Sequence, residues 1–246
     1  MAQDIGILCH VTSLPNGLQD GEKFIDYVHN YGASVWQILP ITPPDSHGSP
    51  YASPSAFAAW SSLGQADEID MTEDSYWLRD WLLFEHLKSK FDGKPWWKWP
   101  AEYRDRDSNA LAAIEVDDTA QSRFMGRWNE IREHAKSKGV RIVGDLPIFV
   151  GHDSADVWAH RDLFLLNKNG MPEVVAGVPP DYFSKKGQKW GTVLYDWNAH
   201  RKENWRWWKE RMARMMRLFD IVRIDHFRGI HSAWAIPVKH KTARKG

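Results

Sequence analysis

The chain has 246 residues with 32 basic and 32 acidic side chains, so it carries no formal net charge and lacks the electrostatic footprint of a nucleic-acid binder. A single cysteine, Cys9, excludes an internal disulfide and fits a reducing compartment. The opening MAQDIGILCHVTSLP has no basic stretch followed by an apolar core, and no apolar run approaches the roughly 18 residues of a membrane span. A cytoplasmic protein without membrane contact is therefore expected.

In chain order, Ile5 to Cys9 reads as a first strand. In EKFIDYVHNYGASVWQILP, Phe24, Val28 and Tyr31 fall at helical spacing, Gly32 stops the helix, and Val35 to Leu39 form a second strand. SYWLRDWLLFEHLKSKF carries Trp77, Trp81, Phe84 and Phe91 on one helical stripe, closed by Gly93 and Pro95. Phe124, Trp128, Ile131 and Ala135 make the next stripe, ended by Gly139, and VRIVGD is the third strand. Trp208, Met212 and Met215 then lead into the fourth strand, within FDIVRID.

Strands alternating with helices predict parallel pairing with both sheet faces buried, as in an α/β barrel or a doubly wound sheet. No GxGxxG or Walker sequence follows any strand, which counts against the nucleotide-binding open sheet. The stretch 61–139 is far longer than an ordinary βα loop and predicts an inserted helical subdomain. It separates residues 1–60, with strands one and two and a rim loop, from residues 140–246, with strands three and four and a second long loop. A closed barrel requires eight strand–helix units, and four are visible. The expected architecture is the first half of a (β/α)8 TIM barrel. The 15 tryptophans mostly read as core, although flat rings also suit the apolar faces of sugars.

A barrel places its chemistry at the C-terminal ends of its strands, where Asp145 and Asp225 fall. Each is either the cap of a turn or a working carboxylate. Arg223 lies two residues before Asp225, on the same side of an extended strand. An adjacent guanidinium favours the charged form of a carboxylate, and a charged carboxylate can attack carbon. Two such carboxylates on one rim suit glycosidase partners, metal ligands or hydroxyl binders. His10, His152, Asp153, Asp225 and His226 are metal-ligand types, but no HxH or HExxH spacing occurs, so neither a metal nor another cofactor is expected. Tyr51, in the loop HGSPYASPSAFAAW, either packs or forms a pocket wall. Tyr182, Phe183 and Trp190 stand in a glycine- and proline-rich loop, where aromatic residues suit substrate contacts.

Taken together, SLP, WQILP, GSPYASPSAFA, GDLPIFVGHDSADVW, VVAGVPPDYFSKKGQKWG and VRIDHFRG resemble the 4-α-glucanotransferases, also called amylomaltases or disproportionating enzymes, of the α-amylase clan. The resemblance covers nearly the whole chain, and VAGVPPDYFS together with VRIDHFRG is its specific part. It implies a retaining transferase acting on maltooligosaccharides and other α-1,4-glucans. Asp225 is then the nucleophile and Arg223 its arginine, while Asp145 binds donor hydroxyls. Tyr51 stacks on the sugar with Ser49 close by, and His226 belongs to the same substrate site. Tyr182, Phe183, Gln188 and Trp190 cover the acceptor side. Thr192-Val193 stands where the family has Asn-Pro, and His231 where it has glutamate, which bears on acceptor preference. The family's acid/base glutamate lies on a later strand, so the resemblance implies an N-terminal portion that is inactive alone. A hydrolase of the same clan and a non-catalytic glucan-binding fragment are the competing expectations.

Overall fold

The computed structural model describes residues 4–67 and 76–246. The elements run β1 (Gly6–Leu8), α1 (Gly21–Asn30), β2 (Val35–Gln37), α2 (Leu78–Lys90), α3 (Ala101–Arg104), α4 (Ser108–Ala112), α5 (Thr119–Ser137), β3 (Arg141–Leu146) and α6 (Ala155–Ala159). They continue with β4 (Val174–Val178), β5 (Gln188–Lys189), α7 (Trp197–Lys202), α8 (Arg206–Leu218), β6 (Ile221–Ile224) and β7 (Trp234–Pro237).

β1, β2, β3 and β6 form one sheet in that order, with every pair parallel. The four strands are those anticipated from the apolar runs, and they make half of the eight that close a barrel. β1 and β6 are the sheet edges, and Leu8 and Ile221 on them are exposed. Gly139 takes φ +68° immediately after α5, a conformation that costs an L side chain but not glycine, and the chain turns there into β3.

The α5 stripe of Phe124, Trp128, Ile131 and Ala135 is wholly buried against the sheet side of the core. Trp128 also donates its indole N–H to the Leu218 carbonyl at 2.8 Å, tying α5 to the end of α8. The α1 stripe is rotated from the one expected. Ile25 and Val28 point inward with Gly21, which packs against Ile131, whereas Tyr31 is exposed just beyond the helix. In α8 the inward line is Trp207, Arg211, Arg214, Met215 and Leu218, with Trp208 and Met212 half-buried beside it. Two buried arginines interrupt an apolar reading of that helix.

The stretch 61–139 divides in its packing, and residues 68–75 within it lie outside the described residues. α5 packs on α1 and β3, while α2 packs on α6 in a second core rich in aromatic residues. Trp81, Phe84, Trp96, Trp158 and Trp207 fill that second core. β5, β4 and β7 form a further sheet, antiparallel throughout, that no sequence pattern announced. It joins the loop after β3 to the loop after β6 and carries Gln188 at the rim.

Candidate active site

β3 and β6 run side by side with Asp145 opposite Arg223, so the register brings the two charges to one level. Asp225 follows β6 directly, and its N–H continues the ladder by donating to the Leu146 carbonyl at 2.9 Å. Arg223 then bridges the two acids. Its Nη1 donates to Asp145 Oδ1 at 2.6 Å and its Nη2 to Asp225 Oδ1 at 2.7 Å. The Asp145 side chain is only 1% exposed, against 36% for that of Asp225.

Tyr51 completes the set from a different loop. Pro50 opens a single 3-10 turn, and Ser49 caps it by accepting the Tyr51 N–H on its Oγ at 3.3 Å. That turn aims the phenol at β3, where the Tyr51 hydroxyl donates to Asp145 Oδ2 at 2.7 Å. Burial, then the bond to Asp145, push the Tyr51 phenol well above the usual tyrosine range. Burial works against the charge on Arg223, but Asp145 and Asp225 outweigh it and raise the guanidinium further. Both oxygens of Asp145 are therefore engaged. Asp225 uses one oxygen on Arg223, and no hydrogen bond from the described residues reaches the other.

A cleft of about 420 Å³ opens in front of Asp225. Of the residues singled out from the sequence, Ser49, Tyr51, Gln188, Trp190, Asp225 and His226 line it, with Asp145 and Arg223 joined to it through hydrogen bonds. His226 has φ +50°, uncommon for a residue with a side chain, and its ring stands edge-on to Trp190 with centroids 4.9 Å apart. Trp190 in turn donates its indole N–H to Gln188 Oε1 at 3.0 Å. Thr192, at the departure from the family's Asn-Pro, lies in the same wall.

Tyr182 and Phe183 are not brought into this cleft. They are 96% and 91% exposed and touch each other edge-to-face, on a turn held by Asp181. The candidate metal ligands are likewise spread apart. His152 stacks on Trp97 and bonds the Gly170 carbonyl, and Asp153 pairs with Lys88. Among the described residues no three ligand-type side chains form a cluster. Sequence reasoning missed Phe149, Ile148 and Asp45, which also line the cleft. Phe149 stood unremarked inside GDLPIFVGHDSADVW, although its place just beyond a strand bearing Asp145 was a usable signal. Asp45 shapes the loop before Tyr51 by accepting the His47 and Ser49 N–H groups, both at 2.8 Å.

A family model described as 4-alpha-glucanotransferase matches residues 9–74 and 70–246. The chloroplastic/amyloplastic 4-alpha-glucanotransferase of Arabidopsis thaliana is 36% identical, aligning with 98% of this chain and 54% of its own length. The 4-alpha-glucanotransferase of Aquifex aeolicus is 34% identical, over 98% of this chain and 62% of its own. Among solved structures, an amylomaltase from Streptococcus agalactiae in complex with acarbose superposes with a TM-score of 0.86 at 29% identity, covering 98% of this chain and 63% of that one. The chain thus spans little more than half the length of these relatives. Its parallel sheet is part of the same barrel, and no helix among the described residues is long and apolar enough to cross a membrane. With the family model covering nearly every residue from Cys9 onward and the two strand-end aspartates bridged by one arginine, this chain belongs to the 4-alpha-glucanotransferase family.

Proposed function

We propose that this chain carries the nucleophile side of a site that transfers α-1,4-glucan segments between maltooligosaccharides with retention of configuration. The observation that carries the reading is the hydrogen-bonded series Tyr51–Asp145–Arg223–Asp225 at the mouth of the cleft. Asp225 attacks the anomeric carbon with its uncommitted oxygen, and the glycosidic oxygen departs with a proton from a second carboxyl group. A glucan hydroxyl then attacks the glycosyl-enzyme, and the second carboxylate takes up its proton. Arg223 fixes the orientation of Asp225, while Tyr51 lines the donor sugar with Asp145 bonded behind it and Ser49 shaping the Tyr51 turn. Gln188, Trp190 and His226 form the acceptor wall, and Tyr182 and Phe183 extend it at the rim for longer chains. The same reading places the protein in the cytoplasm, in keeping with its one free cysteine.

A second reading, glucan binding without turnover by residues 1–246, is favoured by the state of Asp145. Its oxygens are both occupied and its side chain is 1% exposed, so it cannot serve as the second carboxyl group. The decisive experiment is Asp225→Asn in a full-length, active enzyme carrying this segment. Turnover should collapse while oligosaccharide binding survives. Wild-type turnover in that variant would remove Asp225 from the role of nucleophile.

A further inference from the structure

The exit of β3 runs Leu146–Pro147–Ile148–Phe149; the Leu146 carbonyl still accepts the Asp225 N–H, and beyond it the Pro147 and Ile148 carbonyls need partners from outside the sheet ladder. Arg211, on α8, takes up that task from behind the cleft wall. Its Nη2 donates to the Pro147 carbonyl at 2.5 Å and its Nη1 to the Ile148 carbonyl at 3.3 Å. The Tyr195 hydroxyl donates to the same Ile148 carbonyl at 2.6 Å and accepts from Arg211 Nη1 at 3.2 Å. Both side chains are buried, and the guanidinium lies against the indoles of Trp207 and Trp208, 5.2 and 5.3 Å from their centroids. Neither Arg211 nor Tyr195 lines the cleft, but what they hold does. Phe149 stacks on Tyr195 at 6.0 Å on one side, and on the other it meets Trp190 at 6.3 Å and His226 at 6.4 Å. Gly229, in the turn that follows His226, packs so closely on Ile148 and Phe149 that a Cβ there would stand 3.1 Å from each.

We propose that Arg211 and Tyr195 are positioning residues: they fix the backbone of 147–148 and the Phe149 ring, and through them the Trp190–His226 wall of the cleft that Asp225 also lines. The proposal rests on the glucan-transfer reading for its purpose, but not for its geometry. An arginine in this place is not exchangeable for lysine, because two different carbonyls need the planar fork. Tyr195→Phe is the cleaner variant, since it deletes one hydroxyl and keeps the ring stack.

The test compares Tyr195→Phe and Arg211→Lys with Tyr76→Phe, which loses a hydroxyl bonded to His160 at 3.2 Å in the second core. The readouts are thermal denaturation, the dissociation constant for maltoheptaose, and the NMR resonance of the Trp190 indole N–H, identified by its loss in Trp190→Phe. Tyr195→Phe and Arg211→Lys should shift the Trp190 resonance and weaken maltoheptaose binding roughly tenfold. Tyr76→Phe should do neither, even where it lowers the melting temperature as much. A Trp190 resonance that stays in place in Tyr195→Phe overturns the proposal, because the wall has then not moved. Should the wild-type protein fail to bind maltoheptaose, the glucan reading falls, and the Trp190 resonance still decides whether Arg211 and Tyr195 position the wall.

Discussion

Asp145 and Arg223 stand opposite one another on adjacent parallel strands, and the 2.6 Å bond between them makes a nearly buried carboxylate the anchor of a half-exposed guanidinium. An arginine side chain carries considerable rotational freedom, and this bond removes much of it before any ligand arrives. Arg223 can then hold Asp225 in one orientation. Asp145 therefore acts on Asp225 at one remove.

The Tyr51–Asp145 bond gives a prediction with a definite pH sign. The phenol must be protonated to donate, and burial together with Asp145 raises its folded pKa above the unfolded value of about 10. Its contribution is therefore complete below about pH 10 and is lost as the pH rises beyond it. Tyr51→Phe should lower stability by about 1–2 kcal/mol near neutrality, because Asp145 loses a donor while buried. The gap between wild type and variant in urea unfolding should stay level up to about pH 10 and narrow above it. A gap that stayed constant, or widened, would show that the hydroxyl does not support the fold through Asp145.

Gly144 sits between Val143 and Asp145 on β3, and a Cβ there would stand only 2.1 to 2.4 Å from three ring atoms of Phe219. Gly144→Ala should thus cost about 1–3 kcal/mol by overpacking, measured as a shift in the urea midpoint. Trimming the opposing ring tests the cause. Phe219→Leu in the same chain should recover part of the loss, and strictly additive effects would place the strain elsewhere.

Tyr182 and Phe183 offer a prediction on substrate length. They are almost fully exposed and touch only each other among aromatic partners, so changing both to serine should leave the melting temperature nearly unchanged. Affinity for maltotriose should stay the same, and affinity for maltoheptaose should fall. Equal losses for both sugars would put the pair inside the cleft after all, and no loss for either would leave them without a part in binding.

The positions of the strands and the placing of Arg223 and Asp225 on one side were legible because both depend on local periodicity. A two-residue spacing puts Arg223 and Asp225 on one side, and the apolar runs locate the strands. The orientation of α1 was not legible. Phe24, Ile25, Tyr27, Val28 and Tyr31 share one broad apolar face, and packing on the core, with Gly21 against Ile131, selects Ile25 and Val28 over Tyr31 as the inward line. The antiparallel sheet was hidden for another reason. Val174–Val178 pairs with Trp234–Pro237 across two intervening strands and two helices, and such distant pairing leaves no periodic trace. Arg211 and Arg214 mark the same limit. A polar residue on a helix reads as solvent-facing unless the carbonyls that will receive it are known, and those of Pro147 and Phe57 are known only from the fold.

The last prediction concerns residues 1–246 assayed alone. Retaining transfer needs a second carboxyl group about 5 Å from the nucleophile, first to protonate the leaving oxygen and then to accept a proton. General acid catalysis of that kind is worth about 10²–10⁴ in rate. Asp145 is tied down by Tyr51 and Arg223, and Asp45, the other carboxylate in the cleft wall, spends one oxygen on two backbone N–H groups of its own loop. Neither is placed to give and retrieve a proton at the glycosidic oxygen. The aromatic wall and the Asp225 carboxylate are nonetheless in place. Residues 1–246 should therefore bind maltoheptaose, seen as a change in tryptophan fluorescence that Trp190→Phe diminishes, and should show no disproportionation of maltotriose. Glucose and longer oligosaccharides appearing together from maltotriose would mean that Asp45 or another group in this segment supplies the missing proton, and Asp45→Asn would then be the first variant to make.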